Sequence, residues 1–129
     1  MRFTTVAAFL GAVATATAAT TETVTVKDLS IRDNEGIQSA SFKLAEANVE
    51  CSDDGTELKG DGVAACGETK YRFGLTGANS QYKLTVYKEL GTAFGIMGTV
   101  DVQPYCHAGG NGANDFVCTQ VSDITVTLA

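Results

Sequence analysis

The chain has 129 residues, 15 acidic against 9 basic side chains and a formal net charge of −6. That length suits one domain rather than several. The acidic balance argues against nucleic acid or an anionic membrane surface as a partner, and no apolar run is long enough to span a bilayer.

The elements follow in chain order. Arg2 supplies a positive start, VAAFLGAVATA at 6–16 is a short apolar run, and Ala16-Thr17-Ala18 fits a small-x-small cleavage pattern. Residues 1–18 are therefore read as a secretory signal peptide, with 19–129 as a single secreted domain. Loss of Arg2 with that segment makes the remaining chain more acidic still. Residues 19–22 read as a loose tail. TVTVKDLSIR at 23–32 gives one or two strands, and DNEG at 33–36 a turn. SASFKLA at 39–45 alternates, with Ala40, Phe42 and Leu44 on one face. KLAEANVE at 43–50 is the only stretch with a hint of helical period, and its flanking strand pattern argues against a helix. SDDG and KGDG are turns between Cys51 and Cys66. KYRFGL puts Tyr71, Phe73 and Leu75 on one face, and YKLTVYK does the same with Tyr82, Leu84 and Val86. FGIMGTVDV places Phe94, Ile96, Val100 and Val102 together, with Gly98 among them. DITVTL alternates Ile124, Val126 and Leu128 with threonines. Period-two alternation rich in β-branched and aromatic residues marks half-buried strands. Short strands divided by turns suggest a sandwich or a barrel rather than βαβ units.

The four cysteines, Cys51, Cys66, Cys106 and Cys118, all follow the signal segment. An even count in an oxidising compartment predicts two disulfides, for which three connectivities are open. Pairing sequential neighbours closes two short loops, and each bridge adds about 3 kcal/mol by restricting the unfolded chain. The cysteines are too widely spaced for a zinc site.

Catalytic signals are weak. The only histidine, His107, sits beside Cys106 in an apparent turn, and a histidine-based scheme would have to use it. Asp53 and Asp54, with Glu50 and Glu57 nearby, are the carboxylates that a glycoside-cleaving pair would draw on. In SDDG they more naturally hold a turn through side-chain to backbone bonds. SDDGTE lacks the alternating oxygen ligands of an EF-hand. Gly109-Gly110-Asn111-Gly112 is a tight turn that calls for positive φ, not a dinucleotide fingerprint. No metal, no cofactor and no N-glycosylation are expected.

Tyr105-Cys106, Ala108-Gly109-Gly110-Asn111-Gly112 and Asp115-Phe116-Val117-Cys118, followed by Val121 and Asp123, closely resemble the final segment of the Alternaria major-allergen family. Cys51 and Cys66 stand at the spacing of that family's first bridge, Cys66-Gly67-Glu68 matches a family feature, and Glu35-Gly36 fits the turn after its first strand. The resemblance implies an all-β fold, a compact antiparallel β-barrel with two intrachain disulfides made from neighbouring cysteines. It implies a secreted, noncatalytic protein of effector, elicitor or allergen type. Its partner would be a plant defence protein, notably a thaumatin-like one. The alternatives are a carrier of flavonoid-like small ligands and a small cell-wall hydrolase. The archetypal member joins two barrels through an extra cysteine near its mature N-terminus. Residues 19–50 contain none here, so a monomer or a noncovalent dimer is expected.

Overall fold

The computed structural model describes residues 20–60 and 62–129. The signal peptide expected at 1–18 lies outside them. Among the described residues, ten antiparallel strands form two sheets: β1 (Glu22–Asn34), β2 (Ile37–Leu44), β3 (Val49–Asp53), β4 (Ala64–Ala65), β5 (Tyr71–Ala78), β6 (Gln81–Gly91), β7 (Phe94–Val102), β8 (Tyr105–Ala108), β9 (Asp115–Thr119) and β10 (Ile124–Leu128). The larger sheet runs β3-β2-β1-β9-β8, and β10 pairs with the first half of β1. The smaller sheet runs β4-β5-β6-β7.

The 23–32 stretch is one strand, not two, and it begins earlier than the residues 19–22 reading allowed. Glu22 pairs with Leu128. Its carboxylate accepts the Tyr71 hydroxyl and, at 2.5 Å, Lys88 Nζ, while Lys88 also lies 5.3 Å from the Tyr71 ring centroid. A strand end anchored to the opposite sheet is not a tail. β1 continues because a bulge resets its pleat. The register moves from Lys27↔Lys43 to Ser30↔Ser41, with Asp28 at φ 57°. One extra residue switches the inward positions from Val24 and Val26 to Leu29, Ile31 and Asp33. Without the bulge, one half of the strand would turn its apolar face to water.

The alternating segments behave as their patterns require. Ala40, Phe42, Leu44, Tyr71, Phe73, Leu75, Tyr82, Leu84, Val86, Val126 and Leu128 are all buried. Phe42 meets Phe73 edge-on across the two sheets, with centroids 4.9 Å apart and ring planes at 83°. Such a pair contributes about 1 kcal/mol beyond its burial. Phe94 departs from its expected face and is 63% exposed. The pairing slips between Glu89 and Gly91 at the start of β7, and the ring lies over Gly91, where an added Cβ would meet it at 2.4 Å. The residues after Leu44 form a turn, not a helix.

The expected barrel is met in its all-β, antiparallel character, but the hydrogen-bonded ladder does not close. Two seams divide the sheets. At one, β4 is only two residues long and the link is covalent: Cys51 on β3 bonds Cys66 beyond β4, with Cα atoms 4.2 Å apart. At the other, β7 and the chain after β10 share one residue pair. Met97 N–H donates to the Ala129 carbonyl at 3.3 Å, and the Met97 carbonyl accepts from Ala129 N–H at 3.0 Å. Here the β10 backbone comes so close to Gly98 that any Cβ would stand 2.1 Å from the Thr127 carbonyl oxygen. Only glycine permits that approach.

Candidate functional site

The family-like final segment forms the β8–β9 hairpin. Cys106 and Cys118 face each other directly in register, and the disulfide between them spans a Cα separation of 4.0 Å. His107 is part of β8, paired with Val117, so it does not lie in the turn. It is exposed, and its ring stacks beside that of Tyr105 at 6.0 Å. The turn is 109–114, where Gly110 and Gly112 take φ of 96° and 116°.

Asp115, 1% exposed, organises that turn. Its backbone C=O accepts the Gly109 N–H at 2.8 Å, and its Oδ2 accepts the Asn111 N–H at 3.0 Å. Arg32 Nη2 donates to both carboxylate oxygens, at 3.1 and 3.2 Å. Gly109 is required beside it: a Cβ there would stand 2.4 Å from Oδ2. Burial raises the Asp115 pKa, but the Arg32 and Asn111 donors outweigh that and hold the carboxyl below its usual range.

Two further turns converge on the turn of this hairpin. Asp33 lies under the β1–β2 turn, where its Oδ1 accepts the Gly36 N–H at 3.0 Å. Its Oδ2 accepts the Tyr82 hydroxyl at 2.6 Å, and that hydroxyl is also 3.8 Å from Cys118 Sγ. Burial first, then the Asp33 bond, push the Tyr82 phenol far above its ordinary pKa. The β5–β6 turn carries Asn79 and Ser80 at φ 56° and 68°, the paired left-handed geometry of a two-residue hairpin. Asn114 Nδ2 reaches across to Glu35 Oε2 at 3.0 Å. Together these groups border an open cleft of about 540 Å³ in which Asp33, Glu35, Ser80, Tyr82, Asn114 and Phe116 meet. Phe116 is 40% exposed. It shares the Cys106–Cys118 side of the hairpin, while Tyr105 and His107 share the other. The result is a rim fixed by carboxyl-centred hydrogen bonds with one aromatic side chain presented to solvent.

The other singled-out carboxyls lie elsewhere. Asp53 Oδ2 accepts N–H groups from Gly55, Glu57 and Leu58 at 2.8 to 3.3 Å. Asp54 Oδ1 accepts from Thr56 at 3.1 Å. They hold the loop before Cys66, and Glu50 and Glu57 are exposed. No group of three or more metal-ligating side chains occurs among the described residues. Sequence reasoning put Asp33 in a turn, Tyr82 on a strand's apolar face and Asp115 in the family-like segment, but assigned none of them a hydrogen-bonding role. The one available signal was position 33, where a carboxyl continues the inward series of Leu29 and Ile31.

A family model described as Alternaria alternata allergen 1 matches residues 26–118. Effector protein PevD1 of Verticillium dahliae is 34% identical over 113 residues, covering 83% of this chain and 71% of that protein. Two crystal structures of the Alternaria alternata allergen Alt a 1 are similar in fold. Their TM-scores are 0.68 and 0.67 at 27% and 25% identity, covering 83% of this chain and 87% and 92% of theirs.

Proposed function

The chain belongs to the Alternaria alternata allergen 1 family, and from that premise we propose that it is a secreted, noncatalytic effector-type protein that binds a host defence protein through the cleft of Glu35, Asn114 and Phe116. Similarity to a named effector over most of both chains supports the effector reading. The observation that carries the binding reading is the convergence of three hydrogen-bonded turns around the exposed Phe116 ring. A preformed rim loses little freedom on binding. Glu35, exposed at the cleft, suits a basic partner surface, and a thaumatin-like defence protein is the candidate by family resemblance. Residues 1–18 direct export and the product starts at Ala19. We read the two sheets as one barrel, joined at its seams by Cys51–Cys66 and by the Met97–Ala129 backbone bonds.

The test is surface plasmon resonance between residues 19–129, disulfides intact, and a purified thaumatin-like protein. Phe116→Glu abolishes binding without shifting the melting temperature, and Tyr105→Ser, on the opposite face of the hairpin, leaves binding unchanged. Equal losses from both variants would refute the cleft. Absence of any interaction with thaumatin-like proteins would remove that partner. The cleft volume also favours a second reading, a carrier of flavonoid-like molecules, since it falls within the range of roughly 300–1,000 Å³ typical of small-ligand sites. Fluorescent small molecules co-purifying with the wild type and lost from Phe116→Glu would favour it.

A further inference from the structure

The outer face of the smaller sheet carries a second groove, which shares no lining residue with the cleft. Arg72, Tyr87 and Met97 stand in one cross-strand row on β5, β6 and β7. Val63 and Phe94 border the same groove, which encloses about 450 Å³. Phe94, Met97 and Val63 are 63%, 46% and 41% exposed. Scattered exposed apolar side chains need no explanation, but apolar groups gathered in one groove mark an interaction surface.

The charges point to its occupant. Lys27, Arg32, Lys43, Lys83 and Lys88 each stand in an ion pair with a carboxylate. Among the described residues, Lys59, Lys70 and Arg72 stand in none. Two of these three, Lys70 and Arg72, border the groove, where Glu89 is the only carboxylate among the described residues. In a chain of net charge −6, this leaves two cations outside any ion pair among the described residues, Lys70 opposite Glu89, beside the exposed Phe94 and Met97. We propose that this groove binds an acidic segment of a partner protein that carries apolar or aromatic side chains between its carboxylates. The apolar side chains lie on Phe94, Tyr87 and Met97, and the carboxylates on Lys70 and Arg72. Desolvated arginine and tyrosine are the residue types that dominate interface energetics, and a guanidinium offers a carboxylate a two-pronged donor.

The probe is a short synthetic peptide of alternating glutamate and phenylalanine, titrated into isotope-labelled, disulfide-intact protein and read by amide chemical shifts. Shifts at 70–72, 87–89 and 94–97 are expected, with cleft residues 33–36 and 114–116 unmoved. The joint Lys70→Glu and Arg72→Glu change weakens binding about tenfold or more, with the unfolding midpoint monitored in parallel. If that variant does not fold, Arg72→Gln in the same titration shows a smaller loss. Equal binding of a matched peptide with lysine in place of glutamate overturns the proposal. So does equal binding of a peptide with serine in place of phenylalanine, or the absence of shifts at the groove. Movement of the same amides when protein concentration alone is raised would assign the groove to a second copy of the chain.

Discussion

Tyr82 on β6 donates its hydroxyl to Oδ2 of Asp33 on β1 at 2.6 Å, and both side chains are buried. The bond ties the smaller sheet to the larger beneath the cleft. A hydrogen bond to a carboxyl in this setting contributes about 1.5–3 kcal/mol, so Tyr82→Phe should lower stability at neutral pH by about that amount. The phenol's raised pKa adds a pH signature. The folded state holds its proton above the ordinary tyrosine value of about 10, while the unfolded chain releases it. Stability therefore falls as pH rises beyond that value. Urea unfolding of the wild type from pH 8 to 11 should show the decline, and Tyr82→Phe should flatten it. A variant curve parallel to the wild type would deny Tyr82 this role.

Asp115 gives the acid counterpart. Its pKa is lowered in the folded protein because the Arg32 and Asn111 donors outweigh the effect of burial. The stabilisation is complete above the ordinary aspartate value of about 3.9 and is lost as pH falls through the lower folded value. Glu22, lowered because its Lys88 and Tyr71 hydrogen bonds outweigh desolvation, acts in the same direction. Asp115→Asn should reduce stability at pH 6 and make the remaining stability less sensitive to acid. Denaturant midpoints between pH 6 and 2.5 measure both effects, and an unchanged acid slope would contradict the assignment.

Local pattern made the strands legible, because a half-buried strand must alternate. Phe42, Phe73 and Leu84 declare their faces without knowledge of their neighbours. The bulge at Asp28 was hidden because it changes parity while both halves of the strand remain locally regular. Phe94 misled for a related reason: its parity was right, but the slip after Glu89 left its ring outside. The spacing of the four cysteines left three pairings open, and the family resemblance singled out the neighbour pairing that the structure contains. The cleft was legible in part, as turns at DNEG and at Gly109-Gly110-Asn111-Gly112. The buried bonds beneath it were not, because Asp33–Tyr82 and Arg32–Asp115 join positions 49 and 83 residues apart. Their meeting is a consequence of sheet topology.

Ala93 offers a gain in stability. It takes φ 66° in the turn before β7, a conformation that disfavours any residue with a Cβ by about 1–2 kcal/mol. Glycine removes that strain but adds freedom to the unfolded chain. Ala93→Gly should therefore stabilise by a net of about 0.5–1 kcal/mol, read as a higher urea midpoint with an unchanged slope. A lower midpoint would mean that the alanine methyl makes packing contacts worth more than the strain.

His107 and Cys118 are separable although they share one hairpin. His107 is exposed and beside Tyr105 on the outer side of β8. Cys118 is fully buried, bonded to Cys106 and within 3.8 Å of the Tyr82 hydroxyl. His107→Ala should thus leave the unfolding midpoint and partner binding nearly unchanged. Cys118→Ser removes the bridge and places a hydroxyl in the core, and should lower stability by about 2–5 kcal/mol or prevent secretion. Unfolding curves with and without reductant distinguish the two: the His107→Ala protein keeps the wild-type response to reduction, and the Cys118→Ser protein loses the part due to the second bridge. A well-folded His107→Ala protein that no longer binds its partner would move the functional surface to the outer face of the hairpin.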